Sequence, residues 1–211
     1  ASALERVPAR PECRRAATYR SILAPALDDD PPLEPAADDT TARAALARLW
    51  AAKAQLVLVE PETSRMFEDP KQTAFEAYDA AVQFDPNNDD YRLRRGLVRL
   101  DRPDRESDDL SADLEAVRRE DLAPVVGESR VDEGEVDHAV ALFLRGRANF
   151  VASRRAGAEG DRAERNRLLR LALGDYERAV TLDQLRGDDL ANCLIGASTA
   201  NVALANYTAD D

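Results

Sequence analysis

The chain has 211 residues, 44% hydrophobic and 33% charged, with a formal net charge of −12. That apolar content suffices for one ordinary core and excludes a wholly disordered chain. The acidic balance argues against a general nucleic-acid binder, whose surface must attract phosphate.

Ala, Leu, Arg, Asp and Glu dominate, while aromatic residues make up only 5%. Helix formers therefore outnumber strand formers, and an all-α domain is expected. Ala1 in place of an initiator Met reads as a processed chain or a piece of a longer one. The first segment, residues 1–41, is expected to hold a short helix around Glu12–Leu23 that stops before Pro25. A Pro/Asp-rich strap, "PALDDDPPLEPAADDTT", follows, and its prolines forbid a regular helix. Asp39-Thr40-Thr41 then offers an N-cap, and residues 42–211 form the expected helical domain.

Within that domain Ala42–Val59 carries Leu46, Leu49, Trp50, Lys53, Ala54 and Val57 at helical spacing. Lys71–Phe84 places Phe75, Tyr78, Ala81 and Val82 on one face, and "FDPNNDD" joins it to a helix over Asp90–Leu100. Leu110–Arg119 is the next helix, set off by the break "DRPDRESDD", and "APVVGESRVDEGE" reads as a loop. Val136–Ser153 and Ala163–Leu182 are strong helical patterns separated by the break "RRAGAEGDR". Leu190–Tyr207 closes the chain, and no segment alternates as a strand does. The longest apolar run, around Leu56–Val59, is far short of the roughly 18 residues of a membrane span, so no membrane insertion is expected.

Three helices end alike, as "YDAAVQFDP", "LEAVRREDL" and "YERAVTLDQ", with Asp85, Asp121 and Asp183 in matching places. Three helix starts also align, as "YRLRRGLVRL", "ALFLRGRANF" and "ANCLIGASTA", each with a glycine (Gly96, Gly146, Gly196) where another helix would cross. On these residues the chain resembles the tetratricopeptide repeat family, whose helix–turn–helix unit carries a W-x2-L-G-x2-Y…A-x3-F…P pattern. Trp50, Ala54, Ala74, Tyr78, Ala81 and Pro86 take the places of a first repeat. Gly96, Leu110, Leu114, Val117 and Leu122 take those of a second, and Leu142, Gly146, Ala172, Tyr176, Ala179 and Gln184 those of a third. The joint from Phe84 to Gly96 is the most specific match. Insertions around 60–69, 123–137 and 154–166, and the loss of two terminal prolines, depart from the pattern. The resemblance implies a helical-hairpin solenoid of about three pairs plus a capping helix.

The resemblance also implies a function, as an interaction scaffold or adaptor that takes a partner segment in its concave groove. By position, that groove would be lined by Gln55, Leu58, Leu93, Arg94, Leu97, Leu100, Val140, Phe143, Leu144, Arg147 and Phe150. Two arginines beside an apolar floor suit an acidic or C-terminal peptide segment. Burial of the third-pair residues by the last helix or the N-terminal segment is the open alternative, as is occupation of the groove by the strap itself. Arg95 and Arg145, each just before a glycine, read as repeat architecture. A carboxylate clamp of the chaperone-binding kind needs Lys and Asn where Leu93 and Leu97 stand, so that specialised role is not expected.

Catalytic and metal chemistry find little support. In "DPNNDD" Asp85, Asn87 and Asp89 match the first ligands of a calcium loop, but Asp90 stands where the turn glycine belongs and Gly96 where the glutamate belongs. His138, the only histidine, sits at a helix start where capping is the expected role. Ser129 lacks the glycines of a nucleophile elbow. No cofactor, metal or enzymatic activity is expected. The alternatives are a regulatory or oligomerisation domain of a larger protein, or an all-α enzyme with its site in the 123–137 and 154–166 loops. Cys13 and Cys193 lack metal-binding or redox spacing and read as two free thiols in a reducing compartment, pointing to the cytoplasm, with a long-range disulfide as the alternative.

Overall fold

The computed structural model describes residues 39–101 and 107–208. The short helix and strap expected up to residue 38 lie outside the described residues, as does Cys13. All regular structure among the described residues is helical, with no strand, and the chain divides into two compact units between Asp85 and Pro86. No helix of the described residues is long and apolar enough to cross a membrane.

The first unit is a helical hairpin. Helix α1 (Thr40–Val59) starts on Asp39, whose carboxylate accepts the Ala42 N–H at 2.9 Å. A single turn, α2 (Pro61–Ser64), fills part of the expected insertion. Helix α3 (Pro70–Phe84) starts on Asp69, which accepts the Gln72 N–H, with Pro70 in the first turn where a missing N–H costs nothing. The interface is built from small residues. Ala47, Ala51, Ala54 and Val57 of α1 and Ala74, Ala77 and Ala81 of α3 are buried, and Tyr78 fills the space they leave. Arg43 donates to the Gln83 carbonyl at 3.0 Å and lies over the Phe84 ring, tying the ends together.

The second unit opens at the joint read from the sequence. Asp85 ends α3, and Asn88 caps α4 (Asp89–Leu100) by accepting the Tyr91 N–H. The next helix differs from expectation. Helix α5 (Ser107–Ala116) continues through a π-helical turn, Val117–Leu122, into α6 (Ala123–Val126), so that residues expected to be loop are helical. Pro124 is the physical reason for the turn. It has no N–H for the Glu120 carbonyl, and the wider π turn lets Ala123 reach back to the Arg118 carbonyl instead. Arg92 supplies a replacement donor to the Glu120 carbonyl at 3.4 Å, while also holding the Pro86 carbonyl.

Helices α7 (Ala139–Ala158), α8 (Arg162–Thr181) and α9 (Gly187–Thr208) then run up, down and up against one another. His138 caps α7, its Nδ1 accepting the Ala141 N–H at 3.3 Å, and Gln184 accepts the neighbouring Ala139 N–H. The expected break after Ser153 is shorter than its composition suggests. Arg155 pairs with Glu159 one turn on, and α7 persists until Gly160, whose φ of 82° turns the chain. Asp161 then caps α8.

The aligned glycines are contact points. A Cβ on Gly96 would lie 2.7 Å from a Leu144 methyl and 3.1 Å from the Asp121 Cβ. On Gly146 it would meet the Tyr176 ring at 3.0 Å and the Ala172 carbonyl at 3.2 Å. On Gly196 it would meet the other part of the same ring at 2.8 Å. Gly174, exposed on α8, has open space around it. Gly146→Ala and Gly196→Ala are therefore expected to destabilise the protein by about 1–3 kcal/mol, because a buried ring cannot retreat. Gly174→Ala should stabilise by about 0.5–1 kcal/mol through helix propensity alone. Urea midpoints of the three variants check the contrast.

Candidate functional site

The buried charges of the second unit account for the arginines of the dipeptides Arg95-Gly96 and Arg145-Gly146. Arg95 and Arg99, one turn apart on α4, converge on Asp121 of the π turn. Arg95 Nε donates to Asp121 Oδ1 at 2.8 Å and Arg99 Nη1 to Oδ2 at 3.2 Å. Arg99 also reaches Glu120 at 2.9 Å. All three of Arg95, Arg99 and Asp121 are buried. Burial pushes the Asp121 carboxyl up to about 6 against the pull of Arg95 and Arg99.

The second pair repeats the chemistry with a different register. Arg145 grips Asp175 with both arms of its fork, Nε to Oδ2 at 2.8 Å and Nη2 to Oδ1 at 2.6 Å. Its remaining donors hold the Arg130 and Gly134 carbonyls at 2.7 and 3.0 Å, which pins the loop before α7. Burial raises the Asp175 carboxyl too, with Arg145 opposing it. By the repeat alignment Asp175 corresponds to Asp113, yet Arg95 chooses Asp121, farther along its helix. Likewise Asp121 was aligned with Asp85 and Asp183, but Asp183 is exposed, with φ 52°, and pairs with Arg186. Equal places in the pattern thus do different work.

The proposed groove residues fall into three groups. Leu93, Leu100, Phe143 and Leu144 are buried in the core of the second unit, and Leu97, Val140 and Phe150 are half-buried against it. Gln55 and Leu58 are exposed on α1 of the first unit, Leu58 to 43%. Arg94 and Arg147 remain accessible, and both hold carboxylates of their own protein. Arg94 donates to Asp90 at 2.9 Å and to Asp189 of α9 at 3.0 Å, and Arg147 reaches Asp101 at 2.6 Å.

Asp121 and Asp175, the carboxylates that burial raises among the described residues, are each held by arginine, with Glu120 a lesser like-charged neighbour of Asp121. Neither lines the open depression beside the 123–137 loop, walled by Glu115, Arg118, Arg119, Glu128 and Asp132, or the one walled by Ser111, Arg155, Glu159 and Glu164. Cys193 is a buried thiol pushed up to about 11 by burial, so it stays protonated at neutral pH. No group of three or more His, Cys, Asp or Glu among the described residues could hold a metal ion. No family model matches the chain, and no curated protein or solved structure matches it.

The Asp121 cluster makes a pH-dependent prediction. Because the folded pKa lies above the ordinary carboxyl value, the folded state holds this proton more tightly, and the group adds stability as pH falls from about 6 towards 4. Arg95→Met removes a partner of the buried carboxylate and should cost about 3 kcal/mol at neutral pH. At about pH 5, where Asp121 is largely neutral and needs no cation, the difference from wild type should shrink. Urea unfolding of both proteins across that range checks it.

Proposed function

We propose that the chain is a non-enzymatic, divergent tetratricopeptide-like module whose second unit binds an acidic or C-terminal segment of a protein partner along α4 and α7. The observation that carries this reading is the state of Arg94 and Arg147. They sit on the first helices of successive pairs, accessible to solvent, on a protein with a net charge of −12. Each is occupied by side-chain carboxylates that a partner carboxylate can replace with little loss, because accessible ion pairs contribute about 0–1 kcal/mol.

Two further features support the repeat reading. Leu114, Val117, Leu122, Leu142, Ala172, Tyr176 and Ala179, which take pattern positions in the resemblance, are buried. The glycines placed at crossings meet the side chains of neighbouring helices. A scaffold or adaptor role follows from such a surface, since partner recognition needs only a preformed shape and a few anchors. Cytoplasmic placement belongs to the same proposal.

Selection of peptides from a displayed random library by the purified chain tests the reading. Peptides rich in Asp and Glu, or ending in a free carboxylate, are expected, with affinity that falls as salt rises. Arg94→Glu combined with Arg147→Glu should weaken the selected peptides at least tenfold. Asp101→Asn combined with Asp189→Asn should strengthen them by roughly three- to tenfold, because the internal competitors are gone. Equal binding by all three proteins would sink the proposal.

A further inference from the structure

Two cations on α7 stand without acids from their own helix. A helical arginine can find its counter-ion three or four residues away, as Arg155 does in Glu159 and Arg94 in Asp90. Around Arg147 those places hold Phe143, Leu144, Phe150 and Val151. Around Arg154 they hold Phe150, Val151, Gly157 and Ala158. Arg147 borrows Asp101 from the end of α4 instead, at 2.6 Å. Arg154 is exposed, and its side chain has no ion pair among the described residues.

Both cations lie on one face. A spacing of seven residues is two helical turns, which sets them about 10 Å apart along α7. Between them that face is half-buried Phe150 and Val151. A third group lies beside Arg147. Tyr176 is fully buried, and its hydroxyl has no hydrogen-bond partner. Arg147 is the charge that bears most on that hydroxyl. A guanidinium only donates, so it cannot accept the phenolic proton. The ring cannot swing to find an acceptor elsewhere, because the helices at Gly146 and Gly196 grip it from both sides. A buried donor left in that state costs free energy that an incoming acceptor recovers.

We infer that the acidic segment lies along α7, with one carboxylate bridging Arg147 and the Tyr176 hydroxyl and a second meeting Arg154. The inference rests on the peptide-binding reading and narrows it. Arg147 is 36% exposed and Asp101 48%, so a ligand reaches this pair from solvent. The first carboxylate displaces Asp101 and supplies the acceptor that the Tyr176 O–H lacks. The second finds a cation with no partner to give up, so it adds attraction without exchange. An extended chain advances about 3.3 Å per residue, so a gap of about 10 Å sets the two acids about three residues apart. The residues between them pass over Phe150 and Val151. The ligand is thereby a segment whose two acids are separated by two other residues, and Arg154 is what selects that spacing.

Calorimetric titration of the full chain with short acetylated and amidated peptides tests this. Each carries two Asp residues in an Ala/Ser/Gly background, either adjacent, three apart or six apart, and a control carries one Asp. Acids three apart are expected to bind about fivefold more tightly than either other spacing. Arg154→Gln should abolish that advantage and leave the one-acid peptide unchanged. Tyr176→Phe should weaken every peptide about tenfold, with a thermal midpoint no lower than wild type, since the hydroxyl has no partner to lose. Equal binding of all spacings, or a preference that survives Arg154→Gln, overturns the inference and leaves the acidic-peptide reading standing. Full affinity in Tyr176→Phe overturns the bridge at Arg147. If none of these peptides binds while library-selected ones do, this inference falls alone, and if neither kind binds, both readings fall.

Discussion

The second unit depends on one ring. Tyr176 is fully buried on α8, and its two sides rest on Gly146 of α7 and Gly196 of α9. Three helices can share a single aromatic residue only if both neighbours present bare backbone at that height. The glycines therefore set the spacing of the stack, and Ala172, Ala179 and Ala200 keep it small along the rest of the interface. The ring also decides the chemistry of its surroundings. Burial pushes the Tyr176 hydroxyl above its ordinary range, so it stays a neutral phenol, and it shields Cys193, whose thiol lies 3.5 Å from the Tyr176 carbonyl. Cys193 is part of the packing.

Buried arginines supply a second constraint of a different kind. A guanidinium and a carboxylate taken from water together gain little net stability, but their geometry admits few alternatives. Arg145 uses its whole fork on one acid and two carbonyls, so α7, α8 and the loop before α7 fit only in one register. Arg95 and Arg99 do the same between α4 and the π turn. There the requirement is stricter, because Asp121 faces α4 while Pro124 remains in the helix. The π turn and the ion cluster thus belong to one arrangement, with Arg92 at the carbonyl that Pro124 leaves without a donor.

Much of this organisation was readable from residues with a strong local preference. Asp39 and His138 cap where their positions suggested, and the joint with Asn88 ends one helix and starts the next. The aligned glycines at 96, 146 and 196 mark in the sequence the places where another helix comes close. Local reading failed where distant partners override propensity. Pro124 argued for a loop, yet the helix survives because the π turn and Arg92 make up for the lost donor. The run after Ser153 looked like a break, but Arg155 and Gly157 are held by Glu159 and by the approach of Arg165. For the candidate site, helical spacing could place Leu93 and Leu144 on a face but could not say what covers that face. Both are in the core. The pairing of Arg94 with Asp189, far along the chain, leaves no local signal at all.

The distribution of charge separates the surfaces of the second unit by the kind of contact they can make. Along α4 and α7, arginines already hold acids of the same protein, so any anionic partner enters by exchange, and the free energy of exchange is a difference between similar ion pairs. Such a surface discriminates by shape and by the number of carboxylates presented together, and only weakly by charge alone. Beyond its first turn α9 presents no charge to exchange. Arg94 connects the two surfaces physically, because its partner Asp189 lies in the first turn of α9. A ligand that draws Arg94 away leaves that acid at the start of the helix without its cation. Coupling between the surfaces would run through this one ion pair, and the accessible position of both residues limits it to a small term.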